Sequence, residues 1–406
     1  MRVLLSTIGS RGDVQPLVAL ALELRAHGHD VRLCVPPDFR EWIEGIGLAV
    51  VPIGPELRTF APPPRSGPPD PEYGRRLVEA SVAAQFETVA AAARDCDAIV
   101  AATALQIAAR SVAETMGIPY VFTAYCPNVL PSPHHAPPPL PAMPGFPAPP
   151  PTAGNRELWS RDAERFNAVF GAALNRHRAT LGMSPITDVR SHVFGDQPWL
   201  AADATLAPWP DPGDNGVFQS GAWILSDDRP LPAEVLAFLD AGEPPVYFGF
   251  GSMRAAPDLG GAMLEAARAV GRRAIVSRGW ADLSLPDGQP DCLGIGEVNQ
   301  QALFRRVAAA VHHGGAGTTT AAALAGAPQV IVPHMYDQHY WAARIRDLGT
   351  GTAHAPGTPT AASLSTALEL TLQQDVAARA ASVAARVRKD GARLAAERLS
   401  HIASQP

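Results

Sequence analysis

Met1-Arg-Val-Leu-Leu-Ser-Thr-Ile-Gly-Ser-Arg-Gly-Asp-Val-Gln-Pro-Leu-Val-Ala-Leu20 carries the pattern that decides the fold. Val3–Thr7 reads as a short apolar strand. A Gly-containing turn follows, and then a helix that Asp13 can cap and whose first turn accommodates Pro16. Val14, Leu17, Val18, Ala21 and Leu24 recur on one helical face, and Gly28 suits a stop. Working outward, Val31–Val35 and Leu48–Ile53 read as strands, 77–94 as helix, Ala98–Ala101 as strand, 104–116 as helix and Tyr120–Thr123 as strand. Short apolar strands alternating with helices predict an α/β fold with a parallel, doubly wound sheet.

The alternation stops at Pro127–Pro151. Proline at this density excludes helix and disfavours a central strand, leaving either a disordered stretch or a functional surface loop. A helical segment follows at about 156–181. A second alternating series opens at Val246-Tyr-Phe-Gly-Phe-Gly-Ser252 and continues through strands Ala274–Ser277, Cys292–Ile295, Ala308–His312 and Gln329–Val332. Both series open with a strand running into a Gly-Ser turn, Thr7-Ile-Gly-Ser10 and Gly249-Phe-Gly-Ser252. The expected organisation is an N-terminal domain 1–206, a Pro/Gly-containing linker 207–222 and a C-terminal domain 223–406. Their similar sheets would face each other across a cleft lined by the carboxyl ends of the strands, where such folds bind ligands.

The length of 406 residues fits two domains at roughly 150 residues each. The net charge of −6 comes from interspersed acids and bases, with no basic stripe to suggest nucleic acid. Cys34, Cys96, Cys126 and Cys292 stand far apart without CxxC spacing, so neither a zinc site nor a redox pair is indicated. The apolar run at the start is too short for a signal peptide, and nowhere do ~18 apolar residues follow one another. A soluble cytoplasmic protein without a transmembrane segment is expected.

Three places could carry chemistry. In Val311-His-His-Gly-Gly-Ala-Gly-Thr-Thr319 a strand ends, glycines turn the chain and a helix starts near Thr318. The exposed amides of that helix start favour a diphosphate. Gly315 and Gly317 remove side chains that would block its approach, and His313 can donate to a phosphate oxygen. A plain strand–helix turn is the alternative. Adjacent His312 and His313 point to opposite faces of a strand, so they make a poor metal pair. In Gly9-Ser-Arg-Gly-Asp13, Asp13 is either a helix cap or a general base, and hydrogen bonds from a capped helix end would weaken it as a base. The Arg-Gly-Asp tripeptide also matches a cell-adhesion ligand, by chance in a chain with no export signal. Asp337-Gln338 is either an ordinary helix start or a carboxylate–amide pair suited to sugar hydroxyls. Trp280 could stack on a nucleobase or belong to the core.

Taken together these segments resemble the family 1 glycosyltransferases of the bacterial antibiotic branch, which glycosylate glycopeptide, angucycline and related aglycones. The likeness spans nearly the whole chain. It includes Met1–Ser6, Arg11–Leu20, Gln197-Pro-Trp-Leu-Ala-Ala-Asp203, Gln219-Ser-Gly-Ala-Trp-Ile-Leu225 and Phe248-Gly-Phe-Gly-Ser252. It continues through Ser277-Arg-Gly-Trp-Ala-Asp-Leu283, Gly296-Glu-Val-Asn299, His312-His-Gly-Gly-Ala-Gly-Thr318 and Asp337-Gln338. The resemblance implies the GT-B fold, two Rossmann-like domains with the donor held mainly by the second, and a return of the chain after about Ala385 to the first.

It also implies roles. His313, Gly317 and Thr318 would meet the diphosphate, with Gly315 beside them. Ser252 and Ser10 would approach it from the Gly-Ser turns, with Arg11 and Gly12 next to Ser10. Arg278, Trp280 and Val298 would frame base and ribose, and Asp337 and Gln338 would hold the sugar. Asp13 matches the family's base position. The implied reaction inverts the anomeric carbon in a single displacement from a TDP- or UDP-sugar, a substrate rather than a cofactor, to a small-molecule aglycone. No cofactor and no metal ion are implied. His339 departs from the proline common in relatives, and 131–151 lies where their acceptor loops vary most, so sugar and acceptor stay open. So do O- against C-glycosylation and oligomeric state. Rival readings are a nucleotide-sugar epimerase of the same fold, marked by epimerised free donor, and a non-catalytic helper, marked by loss of the donor motif, which is intact here.

Overall fold

The computed structural model describes residues 1–59, 71–140, 142–143, 145–211, 216–253, 259–280, 283 and 288–403. Ala281 and Asp282 of the Ser277–Leu283 motif, 212–215 of the expected linker, and 141 and 144 of the proline-rich stretch lie outside the described residues. The chain forms two compact units. The first comprises 1–202, 209–225 and 389–406; the second comprises 203–208 and 226–388.

The first unit is built on seven parallel strands: β1 (Arg2–Thr7), β2 (Asp30–Val35), β3 (Ala49–Pro52), β4 (Ala98–Ala102), β5 (Tyr120–Ala124), β6 (Trp199–Leu200) and β7 (Phe218–Gln219). Their order is β3-β2-β1-β4-β5-β6-β7. All five residues of β4 are buried, as are Val3, Leu4 and Leu5 of β1, because helices cover both faces of a parallel sheet. The order reverses between β1 and β4, so the chain leaves these two neighbours in opposite directions and opens a crevice at their carboxyl ends.

The second unit repeats the device with six parallel strands: β8 (Val246–Gly249), β9 (Ala274–Ser277), β10 (Cys292–Ile295), β11 (Ala309–His312), β12 (Gln329–Ile331) and β13 (Gly351–Ala353), in the order β10-β9-β8-β11-β12-β13. Alternate residues feed two cores. Val246, Phe248, Val276, Val311 and Val330 fill one face, and Tyr247, Ile275 and Ala310 the other. Here the reversal falls between β8 and β11.

Several expected boundaries move. The helix expected at 77–94 begins at Pro71 and ends at Ala92, its polar first turn held by ion pairs from Glu72 to Arg75 and Arg76 rather than by an apolar stripe. The helix expected at 104–116 begins only at Ala109. Thr103 leaves β4 with φ +72°, and Gln106 turns its side chain inward to accept from the Ser6 hydroxyl at 2.8 Å, which spends 104–108 on a turn. The strands β6, β7 and β13 escape sequence reading because two or three residues show no period.

The 207–222 stretch is not a plain linker. Trp209 and Trp223 are buried in the first unit and β7 extends its sheet. Gln219 joins the two ends of this segment, accepting from the Trp209 amide at 2.9 Å and donating to the Ala202 carbonyl at 2.8 Å.

Two further features complete the first unit. The helix Gly391–Ala403 packs against the helix Arg11–Ala26, with His29 Nε2 2.8 Å from Ser400 Oγ. Gly391 sits so close to the Gly221–Ala222 backbone that a Cβ there would lie 2.5 Å from it. The proline-rich stretch is an ordered surface loop in its described residues. Its carbonyls take donors from the helix Asn155–Thr180: Asn155 on Pro133, Trp159 on His135 and Arg161 on Pro147, at 2.9, 2.8 and 2.7 Å.

The other end of that helix joins a buried polar knot. Arg178 donates to Ser111 Oγ at 2.8 Å and to Glu114 at 2.7 Å, and Ser111 Oγ lies 2.9 Å from His192 Nε2. Burial pushes the His192 imidazole down to about 4, outweighing the attraction of Glu114. Its folded value therefore lies below its unfolded one near 6.5. The stability it contributes is present above pH ~6.5 and is lost as pH falls through about 4. The loss should reach about 3 kcal/mol at the acid end. His192→Gln should flatten the dependence of stability on pH between those limits, as read from urea melts at a series of pH values; an unchanged slope would contradict this assignment.

Candidate active site

The first unit places one ionisable group at its strand reversal. β1 ends at Thr7, and the following helix starts at Arg11 with Ser10, not Asp13, at the N-cap. Asp13 is the third helical residue, and Pro16 lies beyond the first turn, inside the helix. The Asp13 carboxylate folds back onto the cap, accepting from the Ser10 amide at 2.7 Å and from its hydroxyl at 3.3 Å. Asp13 is thus not the cap itself: it braces the cap from the third helical position, with its carboxylate at the crevice. These hydrogen bonds lower its pKa, but burial raises it further, to about 6. An acid of that value is ionised near neutrality and still basic enough to accept a proton.

Two neighbours were not legible in the sequence. Tyr125, just past β5, donates to the Asp13 carbonyl at 3.0 Å and pins the residue's backbone. Gly9 supplies the space that the carboxylate occupies, since a Cβ built there would lie 2.2 Å from Asp13 Oδ2. Arg11, expected beside the donor, lays its guanidinium over Trp42 at 4.0 Å from the ring centroid and donates to Gln15 at 3.2 Å. Ser10 faces Asp13, and Gly12 is exposed in the first turn.

The second unit brings four turns together at its own reversal. β11 ends at His312, and the next helix, Ala316–Ala325, begins two residues before the expected Thr318. Its N-cap is Gly315, which has no side chain to accept from the first-turn amides. The first helical hydrogen bond runs from the Thr319 amide to the Gly315 carbonyl at 3.0 Å. The amides of Ala316, Gly317 and Thr318 have no intrahelical acceptor, and the helix dipole adds positive potential there.

His313 lies against this turn. A Cβ on Gly315 would come within 2.6 Å of its Nε2, and one on Gly251, beyond β8, within 3.3 Å of its Cε1. His313 Nδ1 is buried without a hydrogen-bond partner. Burial pushes its pKa down to about 4, with His334 adding to the effect, so His313 presents a neutral ring to this turn.

The remaining candidates fall around the same turns with unequal prospects. Ser252 is half-buried in the turn after β8. The Trp280 amide donates to the Gly251 carbonyl at 2.9 Å, which sets the half-buried indole beside that turn. Arg278 is exposed, its backbone tied to Ile295 at 3.0 Å. Val298 is half-buried and packs against the core. Asp337 starts the helix Gln338–Leu348 without capping it, and its carboxylate accepts from Trp341 Nε1 at 3.2 Å. The Gln338 carbonyl oxygen is used inside the protein, on the amides of His334 at 2.8 Å and Met335 at 3.1 Å. Its amide N–H₂ donates to Met253 Sδ at 3.7 Å, and the residue is buried. Among the described residues no group of three or more His, Cys, Asp or Glu side chains could hold a metal ion. Nor is any described helix long and apolar enough to cross a membrane.

Comparison with known proteins shows which family the chain belongs to. Residues 3–132 match the Glycosyltransferase family 28 N-terminal domain, and 279–397 match the Erythromycin biosynthesis protein CIII-like C-terminal domain. Glycosyltransferase GtfE of Amycolatopsis orientalis is 51% identical over 98% of this chain and 97% of its own. The chain belongs to the antibiotic branch of the glycosyltransferases. It is 49% identical to the vancomycin aglycone glucosyltransferase of the same organism, over 98% of this chain and 97% of the relative, and 44% identical to its dTDP-epi-vancosaminyltransferase, over 94% and 93%. Among solved structures the calicheamicin glycosyltransferase CalG4 superposes with a TM-score of 0.74 at 20% identity, covering 99% of this chain and 98% of that one. These likenesses establish the GT-B fold and glycosyl transfer as the enzyme's activity.

The space at Gly9 gives a direct test of the Asp13 geometry. Gly9→Ala should drive the carboxylate off the Ser10 amide and lower kcat by roughly 10²-fold, the cost of misplacing a reacting group by about 1 Å. Steady-state kinetics alongside circular dichroism checks this; a folded variant with full turnover would show that the carboxylate's position is immaterial.

Proposed function

We propose that this glycosyltransferase moves a sugar from a TDP- or UDP-sugar to a hydroxyl, or an aromatic carbon, of a natural-product aglycone, with inversion at the anomeric carbon. The observation that carries the reading is Asp13: a carboxylate fixed at a strand reversal, raised by burial to about 6 and cradled by Ser10. Asp13 takes the acceptor's proton as the acceptor attacks the anomeric carbon, and the nucleoside diphosphate leaves. The first-turn amides of Ala316, Gly317 and Thr318 receive the diphosphate, and His313 adds a neutral donor. Oriented dipoles of this kind stabilise developing negative charge without reorganising. Asp337 offers its carboxylate and Gln338 its amide N–H₂ to sugar hydroxyls, while Trp280 lies where a base could stack. The relatives' names support a vancomycin-like aglycone and, for one of them, a dTDP-epi-vancosaminyl donor.

Asp13→Asn keeps an oxygen for the Ser10 amide but cannot take a proton. Turnover should fall ~10²–10⁴-fold. Because the folded pKa of Asp13 is raised, ionising it costs stability as pH rises through about 6. The variant should therefore melt at the same temperature as the parent or higher at pH 8. Near-normal turnover would reduce Asp13 to a helix-start residue. In the parent, kcat/KM should rise with pH through an acid limb near 6, and the limb should vanish in the residual activity of the variant.

The donor half is tested separately. His313→Ala should weaken TDP or UDP binding ~10–100-fold, the loss of one hydrogen bond to a charged group. Unchanged affinity by titration calorimetry would remove His313 from the diphosphate site.

A further inference from the structure

His312 stands next to the candidate phosphate loop and takes no part in the reading above. Its side chain is wholly buried, at the end of β11, where it pairs in register with Gly249 on β8 and Ile331 on β12. Its ring is turned 89° from that of His313. Both ring nitrogens are engaged. Nε2 lies 2.9 Å from Gln329 Oε1, and Nδ1 accepts the Gly314 amide at 3.1 Å.

The Gly314 amide settles the protonation of this chain of groups. It is a donor, so Nδ1 must present a lone pair, which places the single imidazole proton on Nε2. That proton in turn requires the carbonyl oxygen of Gln329, not its N–H₂, to face the ring. Consistently, Gln329 Nε2 is left buried without a partner, an arrangement that persists only where something else dictates the orientation of the amide. Burial and the neighbouring His313 keep His312 neutral, with its pKa near 3.

The amide so held belongs to the tightest point of the loop. Gly314 has φ +89°, and a Cβ there would meet Ile331 Cγ2 at 2.6 Å and the Gln338 carbonyl at 3.2 Å. This turn aims His313 to one side and delivers Gly315 to the N-cap of the Ala316–Ala325 helix. A donor array stabilises a ligand in proportion to how little it must rearrange, so whatever fixes Gly314 fixes the array.

We propose that His312 is the positioning residue of the donor loop: with its tautomer set by Gln329, it locks the Gly314 turn and so pre-aims His313 and the first-turn amides at the nucleotide diphosphate. The assignment of a diphosphate to this loop rests on the function proposed above. The locking of Gly314 does not.

The test compares two substitutions. His312→Asn places an acceptor oxygen the same number of bonds from Cα as Nδ1. His312→Leu keeps apolar bulk and removes the acceptor. Hydrogen exchange at the Gly314 amide reads the lock itself: protection should be lost in His312→Leu and largely restored in His312→Asn. Calorimetry with TDP and with UDP, and steady-state kinetics, read the consequence. His312→Leu should weaken nucleotide binding and raise the donor KM ~5–10-fold, the value of one lost hydrogen bond, with acceptor KM unchanged, and His312→Asn should recover most of it.

Equal nucleotide affinity in the Leu variant overturns the proposal. So does an Asn variant as weak as Leu, because packing alone would then account for the loss. If His312→Leu fails to fold, Gln329→Leu, which frees His312 to move its proton to Nδ1, should show the same partial loss of Gly314 protection and of affinity; wild-type values would overturn the lock. A parent enzyme that binds neither TDP nor UDP while keeping Gly314 protected would overturn the diphosphate assignment and leave the locked turn standing.

Discussion

A helix that follows a parallel strand begins with amides that its own turns cannot satisfy, and the two units treat that constraint in opposite ways. In the first, the Asp13 carboxylate swings back three residues and accepts the Ser10 amide, so the helix start is closed by its own side chain. In the second, Gly315 stands at the cap with nothing to offer, and the first-turn amides of the Ala316–Ala325 helix stay open. At one junction burial raises the carboxyl group that the helix start holds in place; at the other the open amides stand beside a histidine that burial keeps neutral. On the function proposed above, a base and an anion receptor would come from the same strand–turn–helix element, distinguished by which residue type stands at the cap.

The parts of this scheme that the sequence discloses are those with a period or a motif. Leu4, Leu5 and the β4 run of alanine, isoleucine and valine announce buried parallel strands, and His313-Gly-Gly-Ala-Gly-Thr318 announces a turn into a helix. What stays hidden depends on contacts between residues far apart in the chain. Tyr125 reaches the Asp13 carbonyl across 112 positions, and Ser6 meets Gln106 across 100. Trp42 under Arg11 has no local signal at all. The cap itself was misplaced by three residues because Ser10 and Asp13 are both good cap formers. Only the backbone decides which of the two flanks the helix. Gln338 shows the converse limit: its identity matches a sugar-binding motif, while its carbonyl is already committed to the loop at 334–335.

The proline-rich stretch illustrates why composition left two answers open. Proline removes donors, so such a segment cannot build a ladder and exposes an excess of carbonyls. Here donors come from outside it. Asn155, Trp159 and Arg161 project from one long helix and take three of those carbonyls, which orders the loop without secondary structure of its own. The loop's shape is thus set by the helix beneath it, and substitutions on that helix face can reshape the loop without touching a loop residue.

The Gly391–Ala403 helix bears on how the molecule is made. The first unit is assembled from three separated pieces of chain, and this helix lies against the Arg11–Ala26 helix, from which the whole second unit separates it along the chain. The second unit, apart from a short piece at 203–208, is one continuous stretch, 226–388. Domains usually fold in order of synthesis, N-terminal first. Here the first unit depends on the stretch from Lys389 on, made after the whole of the second unit, and without that stretch one flank of the Arg11–Ala26 helix is bare.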